Sequence, residues 1–337
     1  MSKGTVLVTG ASGYIAGFIV QQLIAESWTV RGTIRNLAKA DAVRKSLGTP
    51  NLQLFAVDLT SDAGWAEAMA GVDYLQHIAS PIPDAEPRDD QVLIRPAREG
   101  ALRALAAAKA AGVKRVVMTS SMAAIAYGMD GDRRVFTEKD WTDPNHPDTY
   151  AYIRSKVIAE RAARDWMASD GGNMEFVTIN PAAVLGPVLG SDFSTSLEIV
   201  KKLLDGALPG LPRLGFGVVD VRDIADLHIR AMTAPGMNGE RFLASGRFMW
   251  FKEIAEVLKY RLGVQAKRVP TRSLPDFLLK IAAKFDATMG MVTPELGKER
   301  ICDSSHAFEV LGWKTRAEEE TIVDCAKSLI AAGLVKA

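Results

Sequence analysis

TVLVTGASGYIAG, residues Thr5–Gly17, runs from an apolar stretch into a turn of small residues and then into helix-forming ones. Gly10, Gly13 and Ala16 recur three apart across that turn. Glycine there tightens the turn and lets the backbone approach a pyrophosphate. A small third residue lets the helix pack on the strand, and the helix amino terminus then faces the anion. Taken alone, the spacing also fits any tight strand–helix connection, so its context has to decide.

Working outward, the first 180 residues alternate apolar runs with longer amphipathic segments. The runs are Thr5–Thr9, Thr29–Ile34, Gln53–Val57, Tyr74–Ile78, Arg115–Thr119 and Glu175–Asn180. Most are continuous rather than alternating, as expected of strands buried on both faces. Ile94–Ala111 and Tyr150–Ala168 have helical length and composition. This order predicts right-handed βαβ units in a doubly wound parallel sheet, a dinucleotide-binding domain over residues 1–180. After Pro181 the segments NPAAVLGPVLG and GALPGLPRLGFG interleave Pro, Gly and apolar residues around a helix near Leu197–Leu204. Beyond residue 250 the chain reads as mostly helical. A smaller, discontinuous substrate lobe is expected over 181–337, with residues near 215–245 returning to the first domain.

The second strand ends in Arg35–Asn36, where an NAD site would place Asp or Glu against the ribose 2′-hydroxyl. A guanidinium there can take a 2′-phosphate bidentately, so Arg35 favours NADP, with Lys39 as a weaker helper. Arg31 is expected away from the site. Asp58, after the third strand, fits a carboxylate beside the adenine and fits equally a loop residue satisfying local amides. Ala79 and Ser80 are small enough to wall a nucleotide, and His77 reads as packed at a strand end.

The fifth strand delivers Ser120 and Ser121 to its carboxyl end, the edge where open α/β sheets bind ligands. Tyr152 and Lys156, in YAYIRSK, stand at i and i+4 and share a helix face. A tyrosine is a poor acid–base near neutrality, and a nearby ammonium lowers its pKa. Such a pair is commonplace on helix surfaces. After a nucleotide loop and a strand-end serine, it reads as a proton-transfer pair, with Ser121 holding the substrate oxygen.

Bulk composition excludes other classes. The 337 residues are 48% hydrophobic and 24% charged, with a formal net charge of +1. Nothing there points to nucleic acid or a membrane surface. The acidic run Glu318–Glu320 reads as a solvated helix face. Cys302 and Cys325 are the only cysteines and fit neither a disulfide framework nor a metal site. With no signal-peptide pattern and no apolar run of membrane-spanning length, a cytoplasmic location is expected.

The chain resembles the extended short-chain dehydrogenase/reductase superfamily, in its dihydroflavonol reductase and cinnamoyl-CoA reductase-like group of aldehyde and ketone reductases. The residues that carry this are VTGASGYIAG, TVRGTIRN, DLT, VVMTSSMAAIAYG, YIRSK, NPAAVLGP, VDVRDIADLH and SSHAFEVLGW. Ala16 stands where many relatives have glycine, a tolerated change at a packing position. The resemblance implies a Rossmann-type fold and NADPH-dependent, reversible carbonyl reduction. It implies Ser121 for polarising the carbonyl, Tyr152 for the proton, and Lys156 for the ribose and the tyrosine's pKa. Gly10, Ser12, Gly13, Tyr14, Ile15, Arg35, Lys39, Asp58, Leu59 and Ala79 are implied at the dinucleotide. Pro181 and Val184 are implied near the nicotinamide, and Ser194 and Thr195 near the phosphates. Ser80, Met122, Met129, Leu185, Phe193 and Phe216 are candidates for a bulky, apolar or aromatic substrate. A nucleotide-sugar epimerase shares the Ser, Tyr and Lys, and a non-catalytic dinucleotide sensor shares the fold. Arg35 argues against the first, and the intact Tyr–Lys pair against the second. A monomer or a homodimer is expected, the dimer pairing Ile94–Ala111 and Tyr150–Ala168 across a two-fold axis.

Overall fold

Two-faced strand burial, the feature expected from the continuous apolar runs, organises the chain. The computed structural model describes residues 2–82, 87–190, 196–285, 290 and 293–336. The strands are β1 (Thr5–Val8), β2 (Thr29–Ile34), β3 (Gln53–Ala56), β4 (Tyr74–His77), β5 (Arg115–Thr119), β7 (Glu175–Pro181) and β10 (Arg241–Ala244). They form a seven-stranded sheet in the order β10-β7-β5-β4-β1-β2-β3, with every pairing parallel.

Side-chain alternation divides the strands between two apolar layers. On one face Val6, Val8, Val117, Val177, Ile179 and Phe242 pack against α1 (Tyr14–Ala25) and α7 (Val221–Thr233). On the other Leu7, Leu75, Val116, Met118 and Phe176 meet α3 (Trp65–Met69), α4 (Gln91–Ala110) and α5 (Ala151–Asp170). Each such fully buried apolar side chain contributes roughly 1.5–3 kcal/mol, and the buried polar Gln76, Thr178 and Asn180 on these strands are hydrogen-bonded. The helices α4 and α5, expected to be available for pairing between subunits, pack on each other within the chain.

The chain holds more strand than its sequence announces. β8 (Ala183–Leu185), β9 (Gly215–Asp220) and β11 (Phe248–Trp250) form a three-stranded sheet. β6 (Arg133–Phe136) and β12 (Glu299–Cys302) form a parallel pair. Of the stretch near 215–245, α7 packs on α1 and β10 joins the large sheet, whereas β9 pairs with β8 and β11. A separate apolar cluster gathers Leu185, Val218 and Met249 under α6 (Leu197–Leu204), α8 (Phe251–Leu262) and the helix Glu318–Ala331. Among the described residues, no helix is long and apolar enough to cross a membrane.

Candidate active site

A cleft of about 680 Å³ opens along the carboxyl edge of the large sheet. One wall is the glycine loop. Gly10 has φ +66°, and a Cβ there would lie 3.1 Å from the Ala79 Cβ and 3.2 Å from the Ala79 Cα. Only glycine fits that backbone without strain. Gly13 caps α1 with backbone alone: no side chain caps the helix and no acid stands in its first turn. The positive end of α1 is thus left to an anion. Ala16, fully buried, fills the packing position against the strand.

Arg35 follows β2 and lines the cleft beside Asp58, Leu59 and Thr60. Asp58 accepts from the Thr60 amide at 2.7 Å and the Thr60 hydroxyl at 2.6 Å. These bonds, with Arg35 and Arg103 nearby, hold its carboxyl below the ordinary range despite some burial. Asp58 thus closes its own turn while facing the cleft. A glycine elbow, an uncapped helix and a lone arginine at the second strand's end fit the pyrophosphate and 2′-phosphate of a dinucleotide.

Ser121, Tyr152 and Lys156 line the other end of the same cleft, with Pro181 and Val184. Ser121 lies two residues beyond β5 and caps a short 3₁₀ turn, its Oγ accepting from the Ala123 amide at 3.1 Å. Tyr152 lies in the first turn of α5, its ring stacked on Tyr150 at 6.5 Å between centroids. Lys156 is buried, with its Nζ 5.2 Å from the Tyr152 ring centroid, and donates to the Ser80 Oγ at 2.7 Å.

The electrostatics differ from the sequence expectation. Burial raises the Tyr152 pKa, and the Ser121 hydroxyl opposes that shift. Lys156 is itself pushed down to about 8 by burial. The tyrosine is accordingly kept as a phenol, the form that can give a proton. The lysine sits close to losing its charge in the neutral range. His77 is buried and pushed down to about 4 by desolvation, with Lys156 adding to the shift. It bonds the Thr9 Oγ1 at 3.1 Å, a packed strand-end residue as expected.

The Lys156 value carries a pH prediction. Since kcat/KM for NADPH reports the free enzyme's essential groups, it should hold on the acid side of 8. It should fall as pH rises through about 8, where the ammonium is lost. A profile flat through that interval, measured at fixed carbonyl concentration, would show that the Lys156 charge is dispensable.

Of the remaining candidates, Gly10, Ser12, Gly13, Tyr14, Ile15, Ala79 and Ser80 line the cleft. Lys39 is exposed on the short turn after β2, outside the lining. Met122 and Leu185 are buried in apolar clusters, Met129 packs against the first of these, and Phe216 stacks edge-on with Phe251. None of these four lines the cleft as it stands. Phe193, Ser194 and Thr195 lie outside the described residues. Residues the sequence reading passed over include Thr9, Thr33, Ile82 and Pro96 in the lining. Thr33 accepts from the Gly10 amide at 3.1 Å and so supports the elbow. The one available signal for Thr9 and Thr33 was their place at or near strand carboxyl ends.

This combination of a parallel sheet, a nucleotide elbow and a Ser–Tyr–Lys cleft defines a dinucleotide-dependent oxidoreductase architecture. The sequence profile of the NAD dependent epimerase/dehydratase family matches residues 6–243. An uncharacterized oxidoreductase of Schizosaccharomyces pombe is 33% identical, covering 98% of each chain. A cinnamoyl-CoA reductase of Medicago truncatula is 36% identical over 75% of this chain and 79% of its own. The crystal structure of yeast methylglyoxal/isovaleraldehyde reductase Gre2 complexed with NADPH superposes with a TM-score of 0.83 at 26% identity, covering 98% of this chain and 100% of that one. The chain belongs to the NAD dependent epimerase/dehydratase family, in its extended short-chain reductase branch, and is an oxidoreductase.

Proposed function

We propose that the protein reduces an aldehyde or ketone to the alcohol with NADPH, reversibly, in the cleft at the carboxyl edge of the sheet. The observation that carries this reading is the meeting of Ser121, Tyr152 and Lys156 with the glycine elbow and Arg35 in one cavity. Gly10, Ser12 and Gly13 cradle the pyrophosphate, with Tyr14 and Ile15 opening the helix behind it. Arg35 takes the 2′-phosphate, helped by Lys39 when its side chain swings in. Asp58, Leu59 and Ala79 flank the adenosine half. Pro181 and Val184 flank the nicotinamide; Ser194 and Thr195, outside the described residues, are assigned to the phosphates by the resemblance alone.

When bound, NADPH supplies the hydride to the carbonyl carbon. Ser121 holds the carbonyl oxygen and Tyr152 gives it a proton. Lys156 bears on the ribose, and its charge favours the phenolate that remains. Ser80 and the apolar Ile82 are the lining residues left for the substrate, and a bulky apolar or aromatic carbonyl is the class proposed. Two free, buried cysteines accord with a cytoplasmic setting.

The test is consumption of reduced nicotinamide across a panel of aldehydes and ketones, with chiral analysis of the products. Several aromatic or branched carbonyls should be turned over, and NADPH should outperform NADH. Tight NADPH binding with no carbonyl turned over would instead leave a dinucleotide-binding protein.

A further inference from the structure

Behind Ser121, on the side away from the cleft's glycine loop, sits a carboxylate that the reaction does not use. Glu160 is completely buried on α5, one turn beyond Lys156 and two beyond Tyr152. Its Oε2 accepts from the Ser120 hydroxyl at 2.6 Å and from the Asn180 Nδ2 at 2.7 Å. Its Oε1 accepts from the Arg241 Nε at 2.7 Å, the Arg164 Nε at 3.2 Å and the Thr178 hydroxyl at 3.2 Å. Burial would raise this carboxyl, but the two guanidiniums and the Ser120 hydroxyl outweigh it and hold it below the ordinary range.

One arm of this cluster ends on the serine's backbone, the other on the turn that the serine begins. The Asn180 Nδ2 also donates to the Ser121 carbonyl at 3.1 Å. Reversing that amide would set its oxygen against the Glu160 carboxylate, so Glu160 fixes its orientation. Arg241, held by Glu160, donates to the Ala124 carbonyl at 3.2 Å, closing the turn that Ser121 begins. The remaining Arg241 donors pin the Glu138 and Asp140 carbonyls at 2.8 and 2.6 Å. A single charge therefore ties the helix bearing Tyr152 and Lys156 to the turn bearing Ser121.

We propose that Glu160 is the positioning residue for Ser121, setting the serine hydroxyl against Tyr152 through Asn180 and Arg241. This rests on the reading of Ser121, Tyr152 and Lys156 given above. Near-attack geometry explains why it matters: a displacement of about 1 Å away from the chemistry can cost on the order of 100-fold in rate.

The experiment measures carbonyl turnover, NADPH affinity by fluorescence, and the pH midpoint of alcohol oxidation in Glu160→Gln and Asn180→Ala. Turnover should fall about 10- to 100-fold while NADPH affinity changes little. The oxidation midpoint should move upward, because a misplaced Ser121 no longer favours the phenolate. A loss of melting temperature alone would not move that midpoint. Glu160→Gln leaves the buried Arg241 and the half-buried Arg164 short of a counter-charge, which can prevent folding. Asn180→Ala keeps the ion pairs and carries the test if it does. A folded Asn180→Ala protein with parental turnover and midpoint overturns the proposal. Tyr152→Phe, run in parallel, separates the two failures: if it is inactive while Asn180→Ala is normal, only the positioning role is lost; if it stays active, the reading of the site itself falls.

Discussion

Tyr152→Phe should cut carbonyl turnover by on the order of 10²–10⁴ and leave NADPH affinity nearly unchanged. The substitution removes one oxygen and keeps the ring stacked on Tyr150. Among the described residues that line the cleft, none is placed to replace the lost proton donor. The Lys156 Nζ is directed to Ser80, and His77 is buried against Thr9 and kept neutral. Tyr14 lines the cleft, but burial first, with Cys325 and Asp220 adding to it, raises its phenol well above the ordinary value. Asp58 stands among the Arg35 group of residues, already ionised and bonded to Thr60. Adding Ser121→Ala to the Tyr152→Phe background should cost far less than the product of the single losses, because the groups act as a unit. Steady-state turnover, with binding followed separately by fluorescence, checks this. Retention of more than about a tenth of parental turnover would break the assignment, since general acids contribute at least 10²-fold.

Arg35→Asp should shift the ratio of kcat/KM with NADPH to that with NADH by on the order of 100-fold, roughly the loss of one charge-assisted bond plus a like-charge repulsion. Arg35 is exposed after β2 and makes no ion pair within the described residues. Its removal should therefore leave the melting temperature in place. The new carboxylate would repel a 2′-phosphate and could accept from a ribose 2′-hydroxyl. The measurement is initial rates with both cofactors on one carbonyl. An unchanged ratio would assign the 2′-phosphate to other residues.

The large sheet was legible because its strands are buried on both faces. Runs such as TVLV and RVVMT have no polar side to hide. The small strands were not. β6 reads RRVF and β12 reads ERIC, pieces of four residues in which Arg133 and Arg134 are exposed but Arg300 is buried, so charge leaves no period to find. The site was legible at strand ends and on the α5 face, where position alone carries meaning. Substrate contacts were not, because Leu185 and Met122 are apolar and bulky whether they line a pocket or fill a core. Glu160 was hidden for a different reason. A glutamate on a helix reads as solvated, and its burial depends on Arg241, 81 residues away, which is invisible to local pattern.

That separation bears on how the protein is made. One of the two counter-charges of Glu160, Arg241, sits on β10, the edge strand, which pairs with β7 only after the excursion through β8, β9 and α7. A chain growing from the ribosome has all six other strands of the sheet, the nucleotide elbow, Ser121, Tyr152 and Lys156 in hand by residue 181. Yet until residue 241 emerges, the carboxylate behind the serine has no Arg241 and the turn from Ser121 to Ala124 lacks its closing donor. Such long-range pairing is slow to form. On the proposed role of Glu160, the residues assigned to the nucleotide are thus synthesised before the strand that completes the serine's support.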